Sequence, residues 1–350
     1  MPLPITRIAL TEQAELLNPK GGRRMDLPGF DDEFVDFPDY IIRITDRIWH
    51  ERQVELCERY YTDDCEIHTL TGDIVGAQTV TKNTRAMMNA FPDRRLEPDN
   101  VIWSDDGADG FYSSHLITSP MTHLGASEFG PATGRKVRVL TIADCLCRDN
   151  KIYKEWLVRD TAGLVEQLGL DLETAARAQA QADLAADHSL IEFHATNRMS
   201  VSEPQLPVEA DHLAIDPEHV VNDIWSPSPS VDAHYFDRAR GFYPRNKDLY
   251  GRHEISAFIG EVFQAIPDLQ VSIRHVCAIP YLDGGQDIAV ALSMAGTHAG
   301  DGIYGEASNA PIYIMAVCHW RVIHGRIHQE WMVWDDLAVR RQIWTTRLAS

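Results

Sequence analysis

Lys151-Ile-Tyr-Lys-Glu-Trp-Leu-Val-Arg-Asp160 returns as Arg326-Ile-His-Gln-Glu-Trp-Met-Val-Trp-Asp335, half a chain length further along the 350 residues. The same offset carries Gly76 onto Gly251, Pro92-Asp93 onto Pro267-Asp268, Thr122-His123 onto Thr297-His298 and Gln167 onto Gln342. So many positions at one offset mark an internal duplication. The period is that of a whole domain, far longer than a solenoid unit, so two similar domains are expected.

The repeated stretch alternates as a strand does. Strict alternation places Ile152, Lys154, Trp156, Val158 and Asp160 on one face and Tyr153, Glu155, Leu157 and Arg159 on the other. Ile327, Gln329, Trp331, Val333 and Asp335 form the matching first face. A carboxylate closing an apolar, Trp-bearing face has the character of a working acid or base, because partial burial raises its pKa toward neutrality. Asp160 is equally suited to cap the helix that follows by accepting its free N–H groups. The two roles do not exclude each other.

Working outward, the first 36 residues carry Pro4, Pro19, Gly21-Gly22 and Pro28-Gly29 and read as an extended arm. From about Asp39 to Tyr61, Ile41, Ile44, Ile48, Leu56 and Tyr60 recur at helix spacing. A short strand with Glu66 and His68 follows, then a second helix from about Ala77 to Ala90 that stops at Phe91-Pro92, since proline biases the residue before it away from helix. Strands are expected over 95–103, 109–120, 135–147 and 151–158, the last two joined by a hairpin at Arg148-Asp149-Asn150. The intervening segment 125–134, rich in small residues, reads as a loop at a pocket mouth. Thr161 to Gly169 reads as a short helix closed by glycine, and an Ala-rich helix from about Leu172 to Asp187 leads into a linker containing Pro204 and Pro207. The second half repeats the plan, its first helix broken at Ser226-Pro-Ser-Pro-Ser230. Helices followed by long antiparallel strands make an α+β domain.

Composition narrows the function classes. An apolar fraction of 44% with 9% aromatics indicates ordinary globular structure. A formal charge of -20 without a basic patch argues against a nucleic-acid partner, which needs concentrated Lys and Arg. No apolar run reaches the roughly 20 residues of a membrane span, and the N-terminus lacks a secretory pattern, so a cytoplasmic protein with no membrane partner is expected. Six cysteines are too few for a disulfide scaffold and are expected as buried or semi-buried thiols. No zinc-type spacing, Gly-x-Gly-x-x-Gly unit, phosphate-binding loop or Gly-x-Ser-x-Gly elbow is present, which leaves no metal or nucleotide cofactor to expect. His68, His115 and His123 are the histidines of the first half that could pass a proton to or from Asp160, each with an ordinary packed or surface role as its alternative. His123 gains weight from recurring as His298.

The order helix, strand, helix, Pro-Asp and long strands, closing on Glu155, Trp156, Asp160, Gly163, Leu164, Gln167, Leu168 and Gly169, resembles the SnoaL-like polyketide cyclase and ester cyclase family of the NTF2-like superfamily. The resemblance covers about 37–169 and again 218–346, leaving 1–36 as the arm and 170–217 as helix and linker. It implies two domains, each a curved, mostly antiparallel sheet wrapped by helices around a cone-shaped pocket. It also implies an acid/base enzyme of cyclase, isomerase or hydrolase type that needs no cofactor and acts on a small or medium apolar carbonyl compound. By this resemblance Asp160 is the acid/base group and Asp335 its second-domain match. His68, His115 or His123 would then supply the donor that an enolate oxygen requires. Trp156, Trp103 and Tyr61 would line the first pocket; Trp331, His298, His319 and Tyr243 would line the second. Asp335 is followed by Asp336-Leu-Ala-Val-Arg where the family has its Gly-Leu segment, so the second site departs from the pattern. Family members pair through their sheets, which implies an internal pseudo-dimer here, with further self-association open. The alternatives are a non-catalytic carrier of a small hydrophobic ligand, or one catalytic and one structural domain.

Overall fold

In a computed structural model of the chain, which describes residues 8–19, 25–106, 108, 110–186, 189–200 and 212–349, the chain divides into two compact units. Unit 1 comprises residues 1–69 and 73–159; unit 2 comprises 70–72 and 160–350.

Unit 1 opens with α1 (Gln13–Leu17), α2 (Phe37–Trp49) and α3 (Leu56–Tyr60), followed by β1 (Tyr61–Thr69), β2 (Gly72–Val75) and α4 (Ala77–Ala90). Four long strands complete it: β3 (Glu97–Asp105), β4 (Phe111–Thr122), β5 (Lys136–Arg148) and β6 (Lys151–Arg159). They form one sheet in the order β2-β1-β6-β5-β4-β3, in which β3 to β6 pair antiparallel and β1 runs parallel to β6. The expected α+β class, with a mostly antiparallel sheet, is the one observed. The β5–β6 turn places both Asp149 and Asn150 at positive φ, as a two-residue hairpin requires.

The helix expected over 39–61 is two helices. Asp36 caps α2 by accepting from the Asp39 N–H, and the chain turns at Arg52, whose φ is +62°. That turn folds α3 back, so the Tyr60 ring meets Tyr40 and Phe34 edge-on. Where it is described, the arm packs onto the unit: Ile8, Leu16, Phe30 and Phe34 are buried in the same core cluster as α2. Each is a large apolar side chain in a segment too irregular to show a period.

Unit 2 begins with α5 (Thr161–Gln167), α6 (Leu172–Ala185) and α7 (Ser189–Met199). Helix α7 occupies ground read as linker; it contains neither Pro nor Gly, so nothing local forbids a helix there. Pro204 and Pro207 lie outside the described residues. After α8 (Pro217–Ile224) and α9 (Val231–His234) come β7 (Tyr235–Tyr243), β8 (Lys247–Tyr250) and α10 (Gly251–Ala265). The unit ends with β9 (Gln270–Pro280), β10 (Gln286–Thr297), β11 (Pro311–Ile323), β12 (Arg326–Trp334) and α11 (Asp336–Ala349). Its sheet order, β8-β7-β12-β11-β10-β9, repeats that of unit 1, with β7 parallel to β12. All six cysteines are buried free thiols. Among the described residues no helix is long and apolar enough to cross a membrane.

One irregularity decides what the sheet presents. Along β6, Lys154 pairs with Leu146 but Ile152 pairs with Cys147, so Tyr153 is an extra residue, a β-bulge. The repeat has the same bulge at His328, between Ile327 opposite Val322 and Gln329 opposite Arg321.

Candidate functional site

The bulge reverses the alternation expected for the repeated stretch. With Tyr153 spliced out of the ladder, Ile152, Glu155, Leu157 and Arg159 line a cavity of about 570 Å³ within unit 1. Trp156 is not among its lining residues; it lies beside Lys154, whose ammonium stands 5.5 Å from its ring, and the His68 ring at 5.7 Å. A single-residue slip turns over every side chain beyond it.

The cavity has one sheet wall and two helical ones. Strand β4 supplies His115 and Ile117, and β5 supplies Thr141, Ala143 and Cys145, alternate residues in each case. Helix α2 contributes Ile41, Ile44 and Ile48, the stripe at helix spacing, and α4 contributes Val80, Thr84 and Met87. Residues 126–129 line it too, which puts the expected pocket loop at the cavity.

Glu155 is the buried carboxylate of this space. Its surroundings favour the neutral acid, and burial pushes its pKa up to about 7, against the opposing pull of Arg159 and the Tyr61 hydroxyl. Tyr61 Oη donates to Glu155 Oε2 at 3.1 Å. Burial and the nearby carboxylate hold the Tyr61 phenol well above its ordinary range, so it stays a donor. His115 is buried, its pKa lowered to about 3 by desolvation, so it is a neutral imidazole whose Nε2 has no partner. Thr141 Oγ1 is likewise buried without a partner. By strand register, Glu155 stands opposite Cys145 and Cys145 opposite Ser113, so His115 lies two strands over and one step along, roughly 10 Å from Glu155. The cavity brings a carboxylate whose pKa burial pushes up to about 7 into the same space as two buried polar atoms without a partner.

Of the sequence candidates, Tyr61 and His115 line the cavity. Asp160 is placed elsewhere. It caps α5, accepting from the Gly163 N–H at 2.9 Å, and accepts from Arg245 N at 2.8 Å and Asn246 N at 3.0 Å in the β7–β8 turn. Burial still raises its pKa, with the three N–H bonds opposing. His68 bonds Asp73 through Nδ1 at 2.8 Å at the sheet edge. His123 is fully buried, stacked on Phe91 at 5.0 Å; its Nδ1 accepts from Thr133 N at 3.3 Å and its Nε2 lies 3.0 Å from Ser127 Oγ. It therefore pins both limbs of the cavity loop. Trp103 packs edge-on to Phe37 and Phe111 and does not line the cavity.

Unit 2 builds the same positions differently. Glu330, the match of Glu155, is fully buried and accepts from Tyr235 Oη at 2.8 Å, Trp320 Nε1 at 3.0 Å and Tyr243 Oη. Burial raises its pKa while the three donors oppose. Where unit 1 has Arg94, His115, Thr141, Cys145 and Arg159, unit 2 has Leu269, Val290, Ala316, Trp320 and Trp334, all buried. Asp335 caps α11 through the Ala338 N–H and accepts from Thr161 Oγ1 at 2.9 Å; burial pushes it up to about 7. Trp331 stacks on Phe242, His319 is buried in β11, and His298 Nδ1 lies 2.9 Å from Ser308 Oγ, echoing His123.

Glu155 and Arg94 were not singled out from sequence. Glu155 carried a signal, a glutamate held in both copies inside a strand of apolar residues, and alternation grouped it correctly with Leu157 and Arg159, but the chemistry was expected on the opposite, Asp160-bearing face. For metals, His219, Asp223 and His234 bring one ligand atom each within 4.8 Å of one another, and His234 Nε2 lies 2.7 Å from Asp223 Oδ2. The spacing of His219 and Asp223, one helical turn apart on α8, was visible; its meeting with His234 was not.

The sequence model of the SnoaL-like polyketide cyclase family matches residues 40–168 and again 230–343. Solved structures align with a single repeat's worth of the chain. A SnoaL-like polyketide cyclase from Agrobacterium tumefaciens shows 19% identity over 37% of this chain and 95% of its own, with a TM-score of 0.32. TsrD from Streptomyces laurentii shows 18% identity over 37% of this chain and 95% of its own, with a TM-score of 0.33. No curated protein matches the chain. With the family model covering both halves, the chain belongs to the SnoaL-like polyketide cyclase family and carries that domain twice.

Proposed function

We propose that unit 1 is a cofactor-independent acid/base catalyst acting on a small or medium, largely apolar carbonyl compound, with Glu155 as the group that moves the proton. The observation that carries this reading is a carboxylate titrating near 7 inside an apolar cavity of about 570 Å³, positioned by the Tyr61 hydroxyl. A base works best when its pKa lies near the operating pH, since it is then both ionised and basic enough.

Ionised Glu155 removes a proton from the carbon beside the substrate carbonyl. The electron pair of that C–H bond becomes the enolate, and its oxygen takes a hydrogen bond from His115 Nε2, an atom that otherwise has no partner. The enolate carbon then attacks a second carbonyl of the same molecule, whose oxygen takes the proton back from Glu155 as the C=O π bond opens, as in a cyclisation; or the carbon itself is reprotonated by Glu155, as in an isomerisation. Tyr61 holds the carboxylate in place and stabilises its charged form.

Unit 2 serves as a structural domain in this reading. Glu330 is held by three donors and the counterpart positions carry Trp320 and Trp334.

The test is exchange of the α-hydrogens of a panel of apolar ketones and β-keto esters in deuterated water, followed by NMR with the native chain and with Glu155→Gln. General base catalysis contributes about 10² to 10⁴ in rate, and Glu155→Gln should lose that factor. Equal exchange with both proteins would reduce the site to ligand binding.

A further inference from the structure

The cavity also holds a buried cation that no side-chain carboxylate among the described residues neutralises. Arg94 follows α4, is only 3% exposed, and lines the cavity. Its guanidinium lies over the Trp49 ring at 4.6 Å, and among the described residues its one side-chain hydrogen bond is a long one, Nη2 to Ser119 Oγ at 3.4 Å. Nε is buried without a partner. The electrostatic influences on it are burial and a second cation, Arg159; both act against its charge, and no acidic side chain acts for it. Burial brings its pKa down to about 9, so it remains cationic at neutral pH.

An unpaired buried charge costs several kcal/mol, and folded chains ordinarily pair it or replace it with an apolar residue. Unit 2 shows the apolar solution at the same position, Leu269. Glu155 does not neutralise Arg94. It stands in the row of Ser113, whereas Arg94 reaches Ser119, six residues along β4 and roughly 20 Å of strand away. Arg159, in the row of Thr141 and Ile117, lies on the Arg94 side. The cavity is therefore polarised, with the Glu155 carboxylate toward one end, the Arg94 guanidinium toward the other, and Arg159 between them, close enough to act on both.

We infer that Arg94 is the receptor for an anionic group on the ligand, so that the substrate is an acidic apolar carbonyl compound, such as one bearing a carboxylate, bound with its acid at Arg94 and its reacting carbon at Glu155. This rests on the reading of the cavity as a ligand site. The guanidinium offers a planar fork to the anion while its face stays on Trp49, and in a dry site such a charge-assisted pair is strong. Removal of the anion leaves Arg94 unpaired, so neutral analogues of the same shape bind without this contribution.

Two fluorescent probes with the same apolar rings test it: 8-anilinonaphthalene-1-sulfonate, which is anionic, and N-phenyl-1-naphthylamine, which is neutral. Binding of each to the full chain is measured at pH 7 for the native protein, Arg94→Lys, Arg94→Met and Glu155→Gln. Arg94→Met should weaken the sulfonate by about tenfold or more and leave the neutral probe within about twofold. Arg94→Lys should keep much of the preference for the anion, and Glu155→Gln, which removes a carboxylate from the same cavity, should keep or increase it. Equal loss of both probes in Arg94→Met, or an unchanged sulfonate affinity, overturns the inference while leaving the Glu155 proposal standing. If neither probe binds the native chain, the cavity is not a ligand site and both readings fall. Should Arg94→Met not fold, the native chain and Arg94→Lys decide: an anion preference of about tenfold supports the inference, and equal affinity for the two probes overturns it.

Discussion

The phenolic oxygen of Tyr61 stands 3.1 Å from Oε2 of Glu155 and donates to it across the parallel pairing of β1 and β6. Unit 2 repeats the bond between Tyr235 and Glu330 at 2.8 Å, then adds Tyr243 and Trp320 to the same carboxylate. The shared pair belongs to the fold; the number of additional donors separates an available carboxylate from a committed one.

Loss of the Tyr61 hydroxyl should therefore be milder than loss of the carboxylate. Tyr61→Phe should lower α-exchange by about tenfold, because one hydrogen bond to the ionised form contributes about 1.5 kcal/mol. It should also move the pH–rate midpoint upward, since the carboxylate loses a donor that favours its charge. For the native chain the rate should rise with pH and level off above about 7, where Glu155 is ionised. A pH–rate profile of both proteins checks the two statements together.

Glu155 should also make the chain less stable as pH rises. Its folded pKa lies above its ordinary value of 4.5, so between pH 4.5 and about 7 the folded state holds a proton that the unfolded state has released. Stability contributed by the neutral acid is full below 4.5 and lost by about 7. Glu155→Gln, which stays neutral and still accepts from Tyr61, should be more stable than the native chain by up to about 3 kcal/mol at pH 8 and by little at pH 4. Urea denaturation at the two pH values measures the difference.

Asp160 should prove a stability residue. Asp160→Ala removes the α5 cap and two bonds to the β7–β8 turn, where Arg245 and Asn246 sit at positive φ. A destabilisation of about 2 kcal/mol or more is expected, with the Glu155-dependent exchange rate unchanged per folded molecule. A rate loss as large as that of Glu155→Gln would return the catalytic role to Asp160.

The second carboxylate should respond in the opposite sense to the first. Tyr243→Phe strips one of three donors from fully buried Glu330 and should cost about 1.5–3 kcal/mol. Exchange catalysis by unit 1 should not change. Thermal unfolding and the exchange assay on the same preparation check both expectations.

Much of the architecture was legible because it rests on local periods. The Ile41, Ile44, Ile48 stripe became the α2 wall of the cavity, and the Arg148-to-Lys151 hairpin formed where its turn residues stood. The pocket loop at 125–134 was visible as a run of small residues. The break at Arg52 was not, since it goes with the packing of Tyr60 against Tyr40 and Phe34, which no local pattern carries. Arg94 was equally silent: one arginine after Pro92-Asp93 has no feature until its burial and its lack of a carboxylate are seen together.

The sequence by itself determined the duplication, the α+β class, the strand order's raw material and the family, because each is written in residues close along the chain or at one constant offset. Only the tertiary structure decided which carboxylate enters the cavity. Tyr153 bulges out of the β5–β6 ladder, and since side chains on a strand alternate with a period of two, that one residue turned Glu155 inward and Trp156 away. The same physics set the two halves apart: equal folds closed over Arg94, His115 and Thr141 in one unit and over Leu269, Val290 and Ala316 in the other, so that these three positions leave buried polar atoms to be satisfied in the first and none in the second.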